Sequence, residues 1–348
     1  MDALPVSPKV SVAMCTYNGA AYIAQQLDSI ATQTVLPDEI IICDDGSTDQ
    51  TLTIIEAFRA HFPHPITVHR NPVNLGSIRN FEQAMRMCTG DIILLSDQDD
   101  IWYPYRVERS VAVLMSDDQI GYIFSDADLI DGEEAPLHKM LWKSVRFHDV
   151  QVNQFSNSAR QANMIFSRPF VTGATLAFKA GLLNMILPIP EQVTVKFHHD
   201  RWIALILSAN AYIGQAIRQP FIQYRVHATQ QIGVIGKRNL SEKINRALQD
   251  FLNPLDKIAH QIAMLDLIKE HVSDAPHRFE LSLAPYQIFL RQRELALNQR
   301  SRTQKLACIV QIWRQHLYAQ FDRPKMSLTK DLVWAIRSPS SLPITSEM

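Results

Sequence analysis

Residues 92–100 read Ile92-Ile93-Leu94-Leu95-Ser96-Asp97-Gln98-Asp99-Asp100, an apolar run that ends in three carboxylates within four residues. Such a run suits a strand buried on both faces, the kind found in parallel sheets covered by helices. Those sheets bind ligands at the carboxyl ends of their strands. An isolated acidic tripeptide is usually a solvated turn, but two other apolar runs close in the same way. Lys9-Val-Ser-Val-Ala-Met-Cys15 leads into Thr16-Tyr17-Asn18-Gly19, and Glu39-Ile-Ile-Ile-Cys43 leads into Asp44-Asp45-Gly46-Ser47-Thr48-Asp49. Carboxylates gathered at aligned strand ends repel one another unless something positive binds among them. A hard divalent cation, Mg2+ or Mn2+, bridging a diphosphate has the matching chemistry.

Working outward, helical patterns over about 20–33, 50–62 and 78–88 separate these strands, and Ile66–His69 and Gly121–Ser125 read as two more. The alternation predicts an α/β fold with a mostly parallel sheet flanked by helices. Three common α/β classes are excluded. The first strand is followed by Thr16-Tyr-Asn-Gly-Ala-Ala, with one glycine and no GxGxxG turn; a Walker A loop is absent, and so is a GxSxG elbow.

The 348 residues are 47% hydrophobic and 20% charged, a globular composition that admits two domains. No stretch reaches the roughly 18 apolar residues of a membrane span, and Met1–Pro8 predicts no signal peptide. The four cysteines show no metal spacing; Cys15 and Cys43 lie in apolar runs and read as reduced core thiols, so the cytoplasm is the expected compartment. The net charge of −1 gives no reason to expect nucleic-acid binding. It hides a split: residues 1–236 carry 17 basic and 24 acidic side chains, a net of −7, and residues 237–348 carry 17 and 11, a net of +6.

The ordered set Val10-Ser-Val-Ala-Met-Cys-Thr-Tyr-Asn-Gly, Asp44-Asp-Gly-Ser-Thr-Asp, Asn74-Leu-Gly and Ser96-Asp-Gln-Asp-Asp-Ile-Trp102 resembles glycosyltransferase family 2. With Pro104 and Arg106 following, it looks most like the bacterial rhamnosyltransferase-like branch. The resemblance covers roughly residues 9–235. It implies the GT-A nucleotide-diphospho-sugar transferase fold, inverting sugar transfer and a divalent metal. By that resemblance Thr16 and Asn18 line the nucleotide pocket, Asp44 bonds the base or ribose with Asp45 beside it, and Arg79 approaches the donor. Asp97 and Asp99 form the DxD pair around a neutral Gln98, and Asp100 is a further ligand or a helix cap. Thr172 and Gly173 lie beside the donor sugar, while Thr175–Phe178 reads as core strand. Asp200, in His198-His199-Asp200-Arg-Trp202, is the catalytic base, and His199 orients it or touches the acceptor. Taken alone, Asp200 reads first as a charge complementing a helix dipole. In Tyr224-Arg225-Val-His227, His227 completes the metal site or, with no metal bound, contacts the diphosphate, and Arg225 counters the departing phosphate. Gln230-Gln231-Ile-Gly233 departs from the asparagines usual there.

The resemblance implies a catalytic domain over 1–236, with a nucleotide-binding half at about 9–126 and an acceptor half at about 127–236. The expected partners are a dTDP- or UDP-linked sugar and a glycan or lipid-linked acceptor in bacterial surface polysaccharide (O-antigen) synthesis. Residues 237–348 read as a helical appendage. Leu240, Ile244, Leu248, Phe251 and Leu252 share one helical face, and Ile258, Ile262, Leu265 and Ile268 another; further helices are expected at Phe279–Leu297, Lys305–Phe321 and Ser327–Ile336. Residues 291–330 hold nine basic side chains against Glu294 and Asp322. They are either a solvated face or, with Trp313, Tyr318 and Trp334, a surface attracted to anionic membrane. Two other functions are a nucleotide-sugar-binding module without turnover, against which the full acidic set argues, and a nucleotidyltransferase, whose glycine-rich basic loop is missing.

Overall fold

The computed structural model describes residues 7–193, 197–227, 254–272, 283–315, 317 and 324–337. The chain divides into two compact units, 1–236 and 237–348.

The first unit begins β1 (Val10–Thr16), α1 (Ile23–Ala31), β2 (Glu39–Asp44), α2 (Thr51–Arg59), β3 (Ile66–Arg70), α3 (Ser77–Met87), β4 (Ile92–Ser96). It continues with β5 (Ile101–Trp102), α4 (Arg106–Leu114), β6 (Ile120–Asp131), β7 (Pro136–Met140), α5 (Leu141–Ser144), α6 (Asp149–Phe155) and α7 (Ser158–Ser167). A 3-10 turn at Gly173–Thr175 leads into β8 (Leu176–Lys179), α8 (Leu183–Ile186), α9 (His199–Ala209) and β9 (Ile213–Val226).

The sheet runs β3-β2-β1-β4-β8-β6-β9-β5, with β7 paired to β6. Strands β3, β2, β1 and β4 are mutually parallel, as their helical crossovers require. Beyond β4 the sheet is mixed: β8 is antiparallel to both β4 and β6, β9 is parallel to β6, and β5 is antiparallel to β9. The run expected at Gly121–Ser125 is the N-terminal half of a 12-residue strand, which its long register with β9 extends to Asp131. The core strand expected at Thr175–Phe178 is β8.

The core follows the sequence pattern. Val12, Ala13, Met14, Ile40, Ile42, Leu94 and Leu95 are fully buried between layers of helices. Helix α1 turns Ile23, Leu27 and Ile30 inward and α3 turns Phe81, Ala84 and Met85, both at helical spacing. Cys15 and Cys43 are register partners on β1 and β2, both buried and both free thiols. Because β2 lies on one side of β1 and β4 on the other, the strand order reverses at β1/β4. That switch point is where an open α/β sheet leaves a crevice at its carboxyl ends.

In the second unit the described helices are α10 (Pro254–His271), α11 (Ala284–Leu297), α12 (Arg302–Arg314) and α13 (Pro324–Arg337). Ile258, Ile262, Leu265 and Ile268 of α10 are buried. The face expected from Leu240 to Leu252 lies outside the described residues, as do Tyr318 and Gln230–Gly233. The basic stretch is not one exposed stripe. Arg293 is buried and makes two 2.7 Å bonds to Asp331, Lys305 is also buried, and Arg291 bonds Asp266. Among the described residues no helix is long and apolar enough to cross a membrane.

Candidate active site

The first strand end is organised by buried side-chain bonds. Thr16 Oγ1 donates to Asp44 Oδ2 at 2.8 Å, and Ser47 gives Asp44 both its N–H (2.8 Å) and its hydroxyl (2.5 Å). Asp44 and Thr16 are thereby buried. Asp44, expected at the base or ribose, instead closes the turn after β2, because Ser47 folds back over it. Asn18, in a left-handed conformation (φ 48°), receives the Thr48 N–H at 2.9 Å and donates its own N–H to Ser47 Oγ at 2.8 Å. Thr16 and Asn18 thus lock the first two loops together.

Asp45 is the carboxylate of this loop that reaches a cavity. It lines an open cleft of about 460 Å3 together with Tyr17, Gly46, Arg70, Asn71, Pro72, Val73 and Asn74. Its Oδ1 accepts from Asn71 Nδ2 and the Leu75 N–H, and its Oδ2, among the described residues, from the Gly76 N–H alone, at 2.7–2.9 Å. Tyr17 (42% exposed) and Arg70 are not singled out by the sequence pattern. The available signal for Tyr17 is its place between Thr16 and Asn18 at a strand end.

The loop after β4 brings the acidic groups together. Asp97's carboxyl is pushed up to about 7, first by burial, then by the carboxylates of Asp99 and Asp200, with Arg106 acting the other way. It accepts no hydrogen bond from the described residues. Asp99 Oδ2 and His227 Nε2 are 2.8 Å apart, and the imidazole leans on the Tyr22 ring at 4.6 Å. Asp100 is buried and accepts the Arg225 N–H at 3.0 Å, tying this loop to β9. It does not cap α4, whose N-cap position is Tyr105. Burial, then Asp99 and Asp97, drive its carboxyl up. Beneath it lies Arg106, buried against the Trp102 ring at 3.7 Å with its pKa lowered to about 9 by burial. Gln98 faces the first loop: its amide accepts the Tyr17 N–H at 2.8 Å and donates to the Tyr17 carbonyl at 3.1 Å.

The two arginines expected at the donor are engaged within the protein. Arg225 is fully buried, donating to the Asp99 carbonyl (2.8 Å), Gln25 Oε1 (2.7 Å) and the Gly132 carbonyl (3.3 Å), and lying over the Tyr22 ring. It therefore braces the acidic loop from behind. Arg79 donates to Glu82 and to the Ile189 carbonyl, both at 2.6 Å.

Asp200 sits in the first turn of α9, after His198 in a left-handed conformation (φ 61°). Its Oδ2 accepts the Gly173 N–H at 2.9 Å and its Oδ1 the Arg201 N–H at 2.6 Å. Thr172 closes the adjoining 3-10 turn through its carbonyl. His199 is buried, stacks on Phe81 at 4.2 Å and has both ring nitrogens unpartnered among the described residues. Burial lowers its pKa to about 4, so it is neutral at pH 7. It does not hydrogen-bond Asp200, the orienting role expected of it.

Asp97 and Asp99 offer hard oxygen donors, and His227 an imidazole, a set whose chemistry suits Mg2+ or Mn2+. Asp97's unbonded carboxylate in a repulsive field is what a cation would relieve. As they stand, however, no three His, Cys, Asp or Glu side chains among the described residues are gathered to hold an ion, and His227 is paired with Asp99.

Residues 11–183 match the family model described as glycosyl transferase family 2. An uncharacterized glycosyltransferase of Nostoc sp. is 26% identical over 224 residues, covering 63% of this chain and 65% of that protein, so the chain spans just under two thirds of that relative's length. The dTDP-rhamnosyl transferase RfbG of Shigella flexneri is 26% identical over 224 residues, 63% of this chain and 73% of that protein. The fold matches the mannosyltransferase PcManGT from Pyrobaculum calidifontis, solved in complex with GDP-Man and Mn2+, with a TM-score of 0.51 at 18% identity over 95% of this chain and 87% of that one.

Proposed function

Since this chain belongs to glycosyl transferase family 2 through residues 11–183, we propose that it moves a sugar, rhamnose in the leading version, from a nucleoside diphosphate to a hydroxyl of a bacterial surface glycan. The observation that carries the reading is the gathering of Asp97, Asp99 and Asp200: burial first, and then the two neighbouring carboxylates, push the Asp97 carboxyl up. Two of these carboxylates come from a strand end and the third from a helix start about 100 positions later.

In this proposal 1–236 is the catalytic domain, with the nucleotide side at about 9–126 and the acceptor side at about 127–236. The base lies in the cleft beside Tyr17 and Arg70. Asp45 Oδ2, with one protein donor, offers an acceptor to the N3–H of thymine or uracil. Asp97 and Asp99 would hold Mg2+ or Mn2+, with His227 as a further donor, and the ion would supply positive charge to the leaving diphosphate. Asp200, its carboxylate fixed by Gly173 and Arg201, takes the proton of the acceptor hydroxyl. The new bond forms between that oxygen and the anomeric carbon as the bond to the diphosphate breaks on the opposite face, so the configuration inverts. Neutral His199 keeps positive charge away from Asp200, which leaves the carboxylate free to act as base.

The RfbG likeness supports a dTDP-rhamnose donor. A lipid-linked acceptor at the inner face of the cytoplasmic membrane fits the basic second unit, in which Arg300, Trp313 and the adjacent Arg314 are exposed. A nucleotide-sugar panel read by thermal shift tests the donor. Preferential stabilisation by dTDP-rhamnose supports this reading, and preference for a UDP-hexose overturns the rhamnose assignment.

A further inference from the structure

At the switch point the strands part company. Strand β4 ends its pairing with β1 at Met14–Ser96, while β1 runs on two residues, paired only with β2, to Thr16–Asp44. A side chain crosses the gap that opens. Gln98, two residues past β4, bonds both backbone groups of Tyr17, one residue past β1. Its amide thereby replaces the main-chain ladder where that ladder has stopped. Gly19 leaves the room it needs: a Cβ there would lie 2.2 Å from Gln98 Oε1 and 2.4 Å from its Cδ.

We propose that Gln98 is a positioning residue that acts on the donor through Tyr17, holding that exposed ring against the nucleotide cleft and joining the cleft to the Asp97–Asp99 loop. This deepens the donor-site reading above and rests on it. The amide is required because it both donates and accepts. A glutamate at 98 would face the Tyr17 carbonyl without a proton to give and would add another carboxylate to the acidic loop. Gln98 is not among the residues that line the cleft, so its removal acts by letting Tyr17 drift.

The test uses the full chain, with dTDP and UDP binding by calorimetry and ligand-free amide hydrogen exchange. Gln98→Met keeps the length and loses both bonds. Gly19→Ala keeps Gln98 but evicts its amide, which sits at the mobile end of a side chain. Each variant is expected to speed exchange at the Tyr17 amide and to weaken nucleotide binding about tenfold, the scale of two lost neutral hydrogen bonds. Tyr17→Ala should weaken binding at least as much, and Gln98→Met on top of Tyr17→Ala should add nothing. Additive losses would mean that Gln98 touches the donor directly and would overturn the proposal. So would wild-type affinity in Gln98→Met with only a lower melting temperature. Absence of any nucleotide binding by the wild-type chain would overturn the donor-site reading as a whole, which the variants alone cannot do.

Discussion

The Gly173 backbone N–H points at Asp200 Oδ2 from 2.9 Å, joining the turn before β8 to the first turn of α9. A Cβ at Gly173 would come within 3.0 Å of His199 Nε2 and 3.5 Å of Asp200 Cβ. The proposed base is therefore aimed by a close backbone approach that needs glycine. Gly173→Ala should lower turnover about 10- to 100-fold by shifting the carboxylate, a misplacement effect, with nucleotide affinity unchanged. Steady-state kinetics beside calorimetry separate the two; equal losses in both would point to general damage.

The Asp99–His227 pair predicts a metal-linked phenotype. Chelation with EDTA should stop transfer, and Mg2+ or Mn2+ should restore it. His227→Ala should weaken Mn2+ binding by about tenfold, within the range for a lost ligand or supporting partner. Full activity in chelator would contradict the metal assignment.

His199 makes stability depend on pH. Its imidazole titrates near 6.5 in the unfolded chain but only near 4 in the folded one, because burial disfavours the cation. Between those values the unfolded state binds more protons, so this group's contribution is complete above about pH 6.5 and is lost as pH falls toward 4. The loss amounts to about 3 kcal/mol for this group alone. His199→Phe, which can keep the stack on Phe81, should flatten the pH slope of unfolding free energy in that window. An unchanged slope would contradict the prediction.

In the second unit, the buried Arg293–Asp331 pair ties α11 to α13. Asp331→Ala leaves a buried guanidinium without its carboxylate and should cost about 3–5 kcal/mol in denaturant unfolding. Replacing both, as Arg293→Met with Asp331→Leu, should recover most of that loss.

The membrane proposal predicts that full-length protein sediments with anionic liposomes at low salt and releases at high salt. Trp313→Ala should reduce the bound fraction. Equal binding to neutral vesicles would contradict the electrostatic part, and no binding at low salt would contradict the whole.

The layered fold was legible because buried strands and amphipathic helices write their periods locally. Three loops at strand ends were legible for the same reason: Thr16–Asn18, Asp44–Asp49 and Asp97–Asp100 each follow an apolar run. What each side chain does there was not. Asp44 and Asp45 are adjacent and chemically identical, yet Ser47 folds over the first and the cleft opens on the second. Gln98 meets Tyr17 from 81 positions away, and Arg225 reaches Asp99 and Gln25 across still longer separations. Arg225 meets its partners because β9 lies in the mixed part of the sheet, and Gln98 meets Tyr17 because β4 stops pairing with β1 at Ser96, placements that no local pattern carries. The basic stretch shows the same limit: composition counted nine cations, and packing withdrew Arg293 and Lys305 from the surface.

The central claim is sugar transfer with Asp200 as base. It is tested most directly by incubating the full chain with dTDP-rhamnose and rhamnose- or glucose-terminated oligosaccharide primers and measuring the released nucleotide. The account predicts dTDP release coupled to an extended primer in the wild type. In Asp200→Asn it predicts a loss of about 100-fold or more, the scale of a removed general base, with dTDP binding retained. Near wild-type turnover by Asp200→Asn, or release of pyrophosphate instead of dTDP, would contradict it.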